Sequence, residues 1–234
     1  MRLASLIRFL VVLSLPGIAA AAPIRVLFIG NSLAAMNDLP ALVAMFARDN
    51  GDRLETRTIA YPNYSLEDHW KGGDARRAIA EGGWSFVVLQ QGPSSLPESR
   101  ELLVEYAKRF ATEAQRVKAK VALYMVWPAS NRPQDFDGVK LSYETAAREV
   151  GGVFLPAGQA WRIAWRRDPS LPFYGPDGFH PAQLGSFLAA LVIYQGLTGK
   201  SSARRVAVSL SDAQSKILRE AAAEALSGAP NRRE

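Results

Sequence analysis

The sequence contains no cysteine, only two histidines and little excess charge of either sign. The absence of cysteine excludes disulfide bonds and thiolate metal sites, so a folded domain must rely on core packing. The two histidines, His69 and His180, leave few choices for a catalytic base. The formal charge of +6 over 234 residues is small and scattered. We interpret it as an aid to solubility and not as a nucleic-acid-binding surface.

Residues 1–22 have the organisation of a secretory signal peptide. Arg2 and Arg8 precede an apolar run, Phe9–Leu15, and alanines occupy positions 19–22. A membrane span needs roughly 20 residues, so this run is too short to cross a bilayer. We expect cleavage after Ala21, with Ala22 as the alternative position. An uncleaved membrane anchor is the other alternative. The sequence thus predicts a secreted or periplasmic protein with no stable membrane insertion once the signal is removed.

Residues 23–228 form one predicted domain, followed by a predicted disordered tail, 229–234. Short β-rich segments alternate with helical patterns, which is typical of a parallel sheet covered on both faces. We therefore predict an α/β fold, a three-layer α/β/α sandwich of the flavodoxin-like type with a five-stranded parallel sheet. Arg53–Ala60 alternates like an edge strand, and Phe86–Leu89 is apolar throughout, like a central one. The predicted strands are 24–29, 53–60, 86–89, 121–126 and 153–155.

Ser32 follows the first predicted strand directly, in the segment Gly30-Asn31-Ser32. Sites in such sheets lie at the carboxyl ends of the strands. A serine hydroxyl needs a base within hydrogen-bond reach to act as a nucleophile. His180 is the preferred base because Asp177, three residues earlier in a glycine- and proline-bounded turn, can bond to its Nδ1–H and leave Nε2 free.

These residues together resemble the SGNH (GDSL-like) hydrolase family. Gly30-Asn31-Ser32-Leu33 is similar to the family's first block, and 177–181, Asp-Gly-Phe-His-Pro, is similar to its last. The resemblance implies an SGNH hydrolase fold and an esterase with Ser32, His180 and Asp177 as its triad. It also implies acyl transfer to water that requires no cofactor. No cluster of histidines and carboxylates indicates a metal site.

The chain departs from the family pattern in two places. Asn31 stands where the family usually has aspartate, and the third block, Gly-x-Asn-Asp, is absent. Gln91-Gly92 stands in its place and resembles the pair found in SGNH carbohydrate acetylesterases.

The resemblance implies an oxyanion hole made from the N–H of Ser32, the N–H of Gly73 and the amide of Gln91. Gly72 is the alternative for the glycine, and Gln90 is the alternative for the glutamine.

Further residues are expected near the carboxyl ends of the strands, beside Ser32, where they could contact a substrate. Aromatic rings there can stack on sugars or acyl chains, although ordinary packing is the alternative for each. The candidate substrate-contacting residues are Asn31, His69, Trp70, Gln90 and Trp127.

We predict hydrolysis of small O-acyl groups, acetyl above all, with a small-molecule or carbohydrate ester as the partner and no nucleic acid. A lipid-directed esterase or thioesterase would require a long apolar cleft. A glycan-binding protein without catalysis is the other alternative, and it would separate Ser32 from His180.

Overall fold

Strands and helices alternate along the chain, and the computed structural model describes residues 22–201 and 210–229. The predicted signal peptide, except residue 22, and the predicted tail, except residue 229, lie outside the described residues. The strands are β1 (Ile24–Gly30), β2 (Leu54–Ala60), β3 (Phe86–Leu89), β4 (Lys120–Tyr124) and β5 (Val153–Leu155). All neighbouring pairs are parallel, in the order β2-β1-β3-β4-β5. The predicted five-stranded parallel sheet is confirmed.

Helices cover both faces of this sheet. In the described ranges they are α1 (Ser32–Ala35), α2 (Leu39–Asp49), α3 (Leu66–Gly72), α4 (Asp74–Ala80), α5 (Pro97–Arg116), α6 (Phe136–Val150), α7 (Ala157–Arg167), α8 (Gln183–Thr198) and α9 (Asp212–Ser227). Helices α2, α7, α8 and α9 pack together on one face, and α3 to α6 pack together on the other. This is the predicted three-layer α/β/α sandwich.

Burial explains the composition of each element. β1 is buried along most of its length and is apolar on both faces, as a strand between two helical layers must be. β2 has only Leu54 and Ile59 buried and is otherwise largely accessible, and it forms one edge of the sheet, as predicted. Helix α8 is apolar on nearly all sides because α2, α7 and α9 surround it. Within 22–201 and 210–229, no helix is both long and apolar enough to cross a membrane.

The register of the sheet determines where polar groups meet. Gly30 at the end of β1 pairs with Ala60 at the end of β2, while Ile29 pairs with Leu89 at the end of β3. The carboxyl ends of three strands therefore lie side by side. The segments that follow these residues all start from the carboxyl-terminal end of the sheet, where a site is expected in a parallel α/β fold.

Candidate active site

Three side chains form a continuous series of hydrogen bonds at the carboxyl-terminal end of the sheet. Ser32 Oγ lies 2.9 Å from His180 Nε2, and His180 Nδ1 lies 2.6 Å from Asp177 Oδ2. An ionised carboxylate only accepts hydrogen bonds, so Nδ1 carries the proton and Nε2 is free to accept from the serine hydroxyl. The structure thus brings together the three side chains that the sequence predicts as nucleophile, base and orienting carboxylate.

The second oxygen of Asp177 is also occupied. Oδ1 accepts hydrogen bonds from the backbone N–H groups of Phe179, at 3.0 Å, and His180, at 2.9 Å. The hydrogen bond from the His180 ring, followed by that from the Phe179 N–H, lowers the pKa of Asp177 to about 2. Asp177 is therefore ionised at neutral pH and is fixed through both of its oxygens.

Gly178 and Trp127 support the turn that carries His180. Gly178 has a φ of 67°, and a Cβ at this position would come into close contact with Ser130 Oγ, so glycine suits both the backbone conformation and the available space. Trp127 donates from Nε1 to the carbonyl oxygen of Phe179 at 3.0 Å. Its ring is fully buried and stacks on Trp161. The predicted substrate contact for Trp127 is wrong in this structure, because the ring supports the base-bearing turn from within the core.

Gln90 and Asn31 hold the turn that carries Ser32. Gln90 Oε1 accepts from the Asn31 N–H at 2.9 Å, and Gln90 Nε2 donates to Asn31 Oδ1 at 3.0 Å. The Gln90 side chain passes so close to Gly30 that a Cβ at residue 30 would collide with it. Both Gln90 and Asn31 are buried. Gln90 and Asn31 therefore support the Ser32 turn from within the structure, and the substrate contacts expected for them are not seen.

The same contacts give a physical reason for asparagine at position 31. Asn31 Oδ1 accepts from the N–H of Leu33 at 3.1 Å and caps α1. Asn31 Nδ2 donates to the carbonyl oxygen of Tyr64 at 3.0 Å, and this contact joins the Ser32 turn to the segment after β2. A carboxylate has no hydrogen to donate, so aspartate could not make the second bond.

Gln91 does not present a free amide to Ser32. Its Nε2 donates to Ser94 Oγ at 2.8 Å and to the Ser99 carbonyl oxygen at 3.4 Å, while Oε1 accepts from the Leu66 N–H at 3.1 Å. Gln90 Nε2, the alternative donor, is also bonded to Asn31 and to the Gln91 carbonyl oxygen. The predicted glutamine donor is corrected, because the side-chain amides of both glutamines are already hydrogen-bonded to other residues.

Gly73 likewise lacks a free donor. It has a φ of 83° at the junction of α3 and α4, and its N–H bonds to the carbonyl oxygen of His69 at 3.2 Å. Among the described residues, no backbone hydrogen bond links Gly73, or the alternative Gly72, to the Ser32 turn. The glycine that the sequence suggested is thus a helix-capping residue.

Sequence reasoning missed a turn directly after β2. The Tyr64 N–H bonds to the Tyr61 carbonyl oxygen at 3.2 Å, with Pro62 and Asn63 between them, and Asn63 has a φ of 63°. Proline followed by a left-handed residue is typical of a type II turn and could have been recognised in the sequence. Among the described residues, the N–H of Asn63 and the N–H of Ser32 have no partner. Two free donors therefore follow β1 and β2, whose ends are paired.

His69 and Trp70 are placed apart from the triad. His69 is buried, and its Nε2 lies 2.6 Å from the carbonyl oxygen of Gly30. Trp70 packs edge-on against Phe110 of α5, and Arg76 covers its ring. Neither arrangement supports the predicted contact with substrate.

An open cleft of about 680 Å³ lies beside the base. Its lining includes Met36, Asn37, Tyr174, Pro176 and His180. A cavity of similar volume, about 730 Å³, lies at the amino-terminal end of the sheet, where β4 and β5 begin. None of Ser32, His180 and Asp177 is in its lining.

Sequence comparisons identify no relative: the chain matches no protein-family model and no curated protein. Solved structures do match. An SGNH hydrolase from Slackia heliotrinireducens is 23% identical and aligns with a TM-score of 0.66 over 75% of this chain and 100% of its own. A DUF4886 family protein from Bacteroides uniformis is 17% identical, with a TM-score of 0.74 over 90% of this chain and 97% of its own.

A mutant of the acetyl-xylooligosaccharide esterase Axe2 from Geobacillus stearothermophilus is 14% identical to this chain. It aligns with a TM-score of 0.62 over 77% of this chain and 97% of its own. These likenesses concern the fold, and they extend over nearly the whole length of each neighbour. The chain has the α/β fold of the SGNH hydrolases.

Proposed function

We propose that this protein is a serine ester hydrolase. The observation that carries the proposal is the hydrogen-bond series from Ser32 through His180 to Asp177, at 2.9 and 2.6 Å. These distances are those of a nucleophile with its base and orienting group, and two solved neighbours are described as an SGNH hydrolase and an acetylxylan esterase. A glycan-binding protein without catalysis would not require this arrangement.

The reaction proceeds through an acyl-enzyme. Ser32 Oγ attacks the ester carbonyl carbon while His180 Nε2 accepts the hydroxyl proton. The tetrahedral intermediate collapses as His180 returns that proton to the departing alcohol. Water then attacks the acyl carbon while His180 takes a proton from it, and His180 returns this proton to Ser32 Oγ as the free acid leaves. Asp177 stays ionised and stabilises the imidazolium in both steps.

The N–H groups of Ser32 and Asn63 are the donors that we assign to the oxyanion. Both are free of partners among the described residues, and the Asn31–Tyr64 hydrogen bond holds their two segments together. Loss of one such donor typically lowers kcat by about 10²–10³-fold. Asn63 therefore takes the place that the sequence suggested for Gly73.

The substrate class that we propose is a small O-acyl ester, acetyl above all, on a carbohydrate. Tyr61 and Tyr64 remain partly exposed at 39% and 37%, with ring centroids 5.0 Å apart, next to the Ser32 turn. Exposed aromatic faces suit sugar rings. Acetyl-xylooligosaccharide esterase activity is stated for one neighbour of similar fold. Export directed by the predicted signal peptide would give the enzyme access to such polymers outside the cytoplasm.

Hydrolysis of p-nitrophenyl acetate and its longer acyl homologues tests the proposal. We expect activity that falls with acyl length, disappears in Ser32→Ala and accompanies labelling of Ser32 by a fluorophosphonate. Equal residual rates in both proteins, with no labelling, would reject the hydrolase. Higher activity on long acyl chains would favour a lipid-directed esterase that uses the cleft beside Met36. Hydrolysis of acetylated xylo-oligosaccharides tests separately whether the acetyl group is removed from a carbohydrate.

A further inference from the structure

The proposed mechanism leaves the second histidine of the sequence unused. His69 lies on α3 and is only 2% exposed, so it has no surface with which to meet a substrate. Its Nε2 nevertheless lies 2.6 Å from the carbonyl oxygen of Gly30, the last residue of β1. Ser32 is two residues further along the chain. A buried ionisable ring therefore contacts the backbone that leads into the nucleophile.

The contact determines where the proton of the ring resides. A carbonyl oxygen can only accept, so His69 Nε2 must carry the hydrogen. Burial lowers the pKa of His69, which disfavours a second proton on Nδ1. Nδ1 is buried and has no hydrogen-bond partner among the described residues. The ring is thus neutral, with its proton fixed on the side that faces Gly30.

The surroundings of the ring keep it in this position. Tyr61 stacks on it with a centroid distance of 5.7 Å, and Tyr64 meets it edge-on at 5.1 Å. The charged groups that act on it are the carboxylates of Asp68 and Asp74, which raise its pKa, but burial is the larger effect. The two tyrosines exclude water from the imidazole without forming a hydrogen bond to it.

The Gly30 carbonyl oxygen has a second donor, the N–H of Tyr61 at 3.2 Å. This bond continues the β1–β2 ladder, whereas the His69 bond comes from the helix layer. Two donors from different elements restrict the rotation of the peptide group that joins Gly30 to Asn31. The N–H of that peptide bonds to Gln90, so both of its polar atoms are fixed.

We propose that His69 is a positioning residue, whose neutral Nε2–H fixes the Gly30 carbonyl group and thereby the direction of Ser32 Oγ toward His180. The inference rests on the proposed esterase function but assigns His69 no contact with the reacting atoms. It replaces the substrate contact expected from the sequence. Small errors in the position of a nucleophile reduce the rate of attack more than the binding of substrate.

A matched pair of variants tests the donor. His69→Gln keeps an N–H group at the end of a side chain of similar reach, while His69→Leu fills the site without a donor. We expect His69→Leu to lower kcat for p-nitrophenyl acetate by about 10–100-fold with little change in KM. His69→Gln is expected to recover most of that loss, and fluorophosphonate labelling of Ser32 should slow in parallel.

Thermal melting of both variants separates positioning from folding. If His69→Leu melts cooperatively and retains the wild-type kcat, or if His69→Gln is as slow as His69→Leu at equal stability, the proposal is overturned. If a variant fails to fold, nitrogen-15 NMR of the wild-type protein decides the question.

Nitrogen-15 NMR of the wild-type imidazoles reads the proton directly and does not depend on activity. The chain has two histidines, so spectra of His180→Asn identify the signals of His69. We expect a neutral ring with its hydrogen on Nε2 at neutral pH, and protonation of the ring only at a lower pH than for an exposed imidazole. A hydrogen on Nδ1, or titration like an exposed imidazole, would refute the inference. Failure of the esterase itself would instead appear as absent turnover and absent Ser32 labelling with this NMR result intact.

Discussion

The side-chain amide of Asn37 lies 2.9 Å from the carbonyl oxygen of Pro181, so the segment after Ser32 is bonded directly to the residue after His180. The same Nδ2 lies 2.9 Å from Ser186 Oγ at the start of α8. Both amide hydrogens of Asn37 thus bond to the segment that follows His180. Asn37 has a φ of 55°, a left-handed conformation that asparagine tolerates better than most residues.

We expect Asn37→Asp to lower kcat by about tenfold or more, because it removes both donors and places a carboxylate beside the Pro181 carbonyl oxygen. Unfolding should become easier by about 1–3 kcal/mol, the usual cost of unpaired buried polar groups. Asn37→Gly is the control, since it accepts the left-handed backbone but lacks the amide. Kinetics with p-nitrophenyl acetate and thermal melting check both, and a folded Asn37→Asp with unchanged kcat would contradict the link.

Asp177 should make activity and stability depend on its charge. Asp177→Asn keeps the shape but allows the His180 ring to turn or adopt the wrong tautomer, so kcat is expected to fall by about 10²–10⁴-fold. Because folding lowers the pKa of Asp177 from 3.8 to about 2, its stabilisation is complete above the unfolded value and disappears as the pH falls through 2.

Melting temperatures measured against pH test the electrostatic part. The difference between wild type and Asp177→Asn should be constant from about pH 5 to 7 and should shrink as the pH approaches 2. The side chain is half-exposed, so high salt should reduce the difference. A difference that grows in acid would show that Asp177 is not held in its ionised form by folding.

A side chain at position 178 should impair both stability and activity. Gly178→Ala places a Cβ at a φ of 67° against Ser130 Oγ, so the Asp177–His180 turn must shift. We expect a loss of about 1–2 kcal/mol of stability from the left-handed conformation alone, with a larger proportional loss of kcat. Adding Ser130→Ala removes the colliding oxygen and should restore part of kcat but not the backbone strain. Equal activity in Gly178→Ala and in the double variant would show that the collision is relieved elsewhere.

The sheet and the three central residues were accessible from the sequence for identifiable physical reasons. Buried parallel strands are continuously apolar, and β1 and β3 show that composition clearly. Ser32 directly follows such a strand. A chain with two histidines leaves little choice of base, and the Asp177-to-His180 spacing suits one turn.

The donors that we propose for the oxyanion could not be predicted from the sequence in the same way. A sequence does not reveal to which side a glutamine amide turns, and Gln91 turns toward Ser94 and Leu66. Besides the N–H of Ser32, the free N–H that we assign to the oxyanion belongs to Asn63, and a search for a glycine does not find this residue. The Pro62-Asn63 pair was the available indication of a tight turn at the end of β2. The role of His69 depends on a long-range contact that only the fold creates.

Gln91 allows the sequence-based and structure-based interpretations of the oxyanion hole to be separated. If its amide stabilised the oxyanion, Gln91→Leu would lower kcat by about 10²–10³-fold. The structure instead bonds that amide to Ser94 and Leu66. We therefore expect Gln91→Leu to lose about 1–3 kcal/mol of stability through unpaired buried groups. Its kcat should change by less than about tenfold at a temperature where the variant is folded.

Tyr143→Phe is the matched control, because the Tyr143 hydroxyl holds the same loop through the backbone of Gln91, donating to its carbonyl oxygen at 2.6 Å and accepting from its N–H at 3.1 Å, without contacting the side-chain amide. If the loop alone matters, the two variants should lose stability and kcat in similar proportion. A large loss of kcat in Gln91→Leu, absent from Tyr143→Phe at equal stability, would mean that the amide turns toward Ser32 during the reaction. The oxyanion hole would then include Gln91 after all, and the assignment to Asn63 would need to be tested against it.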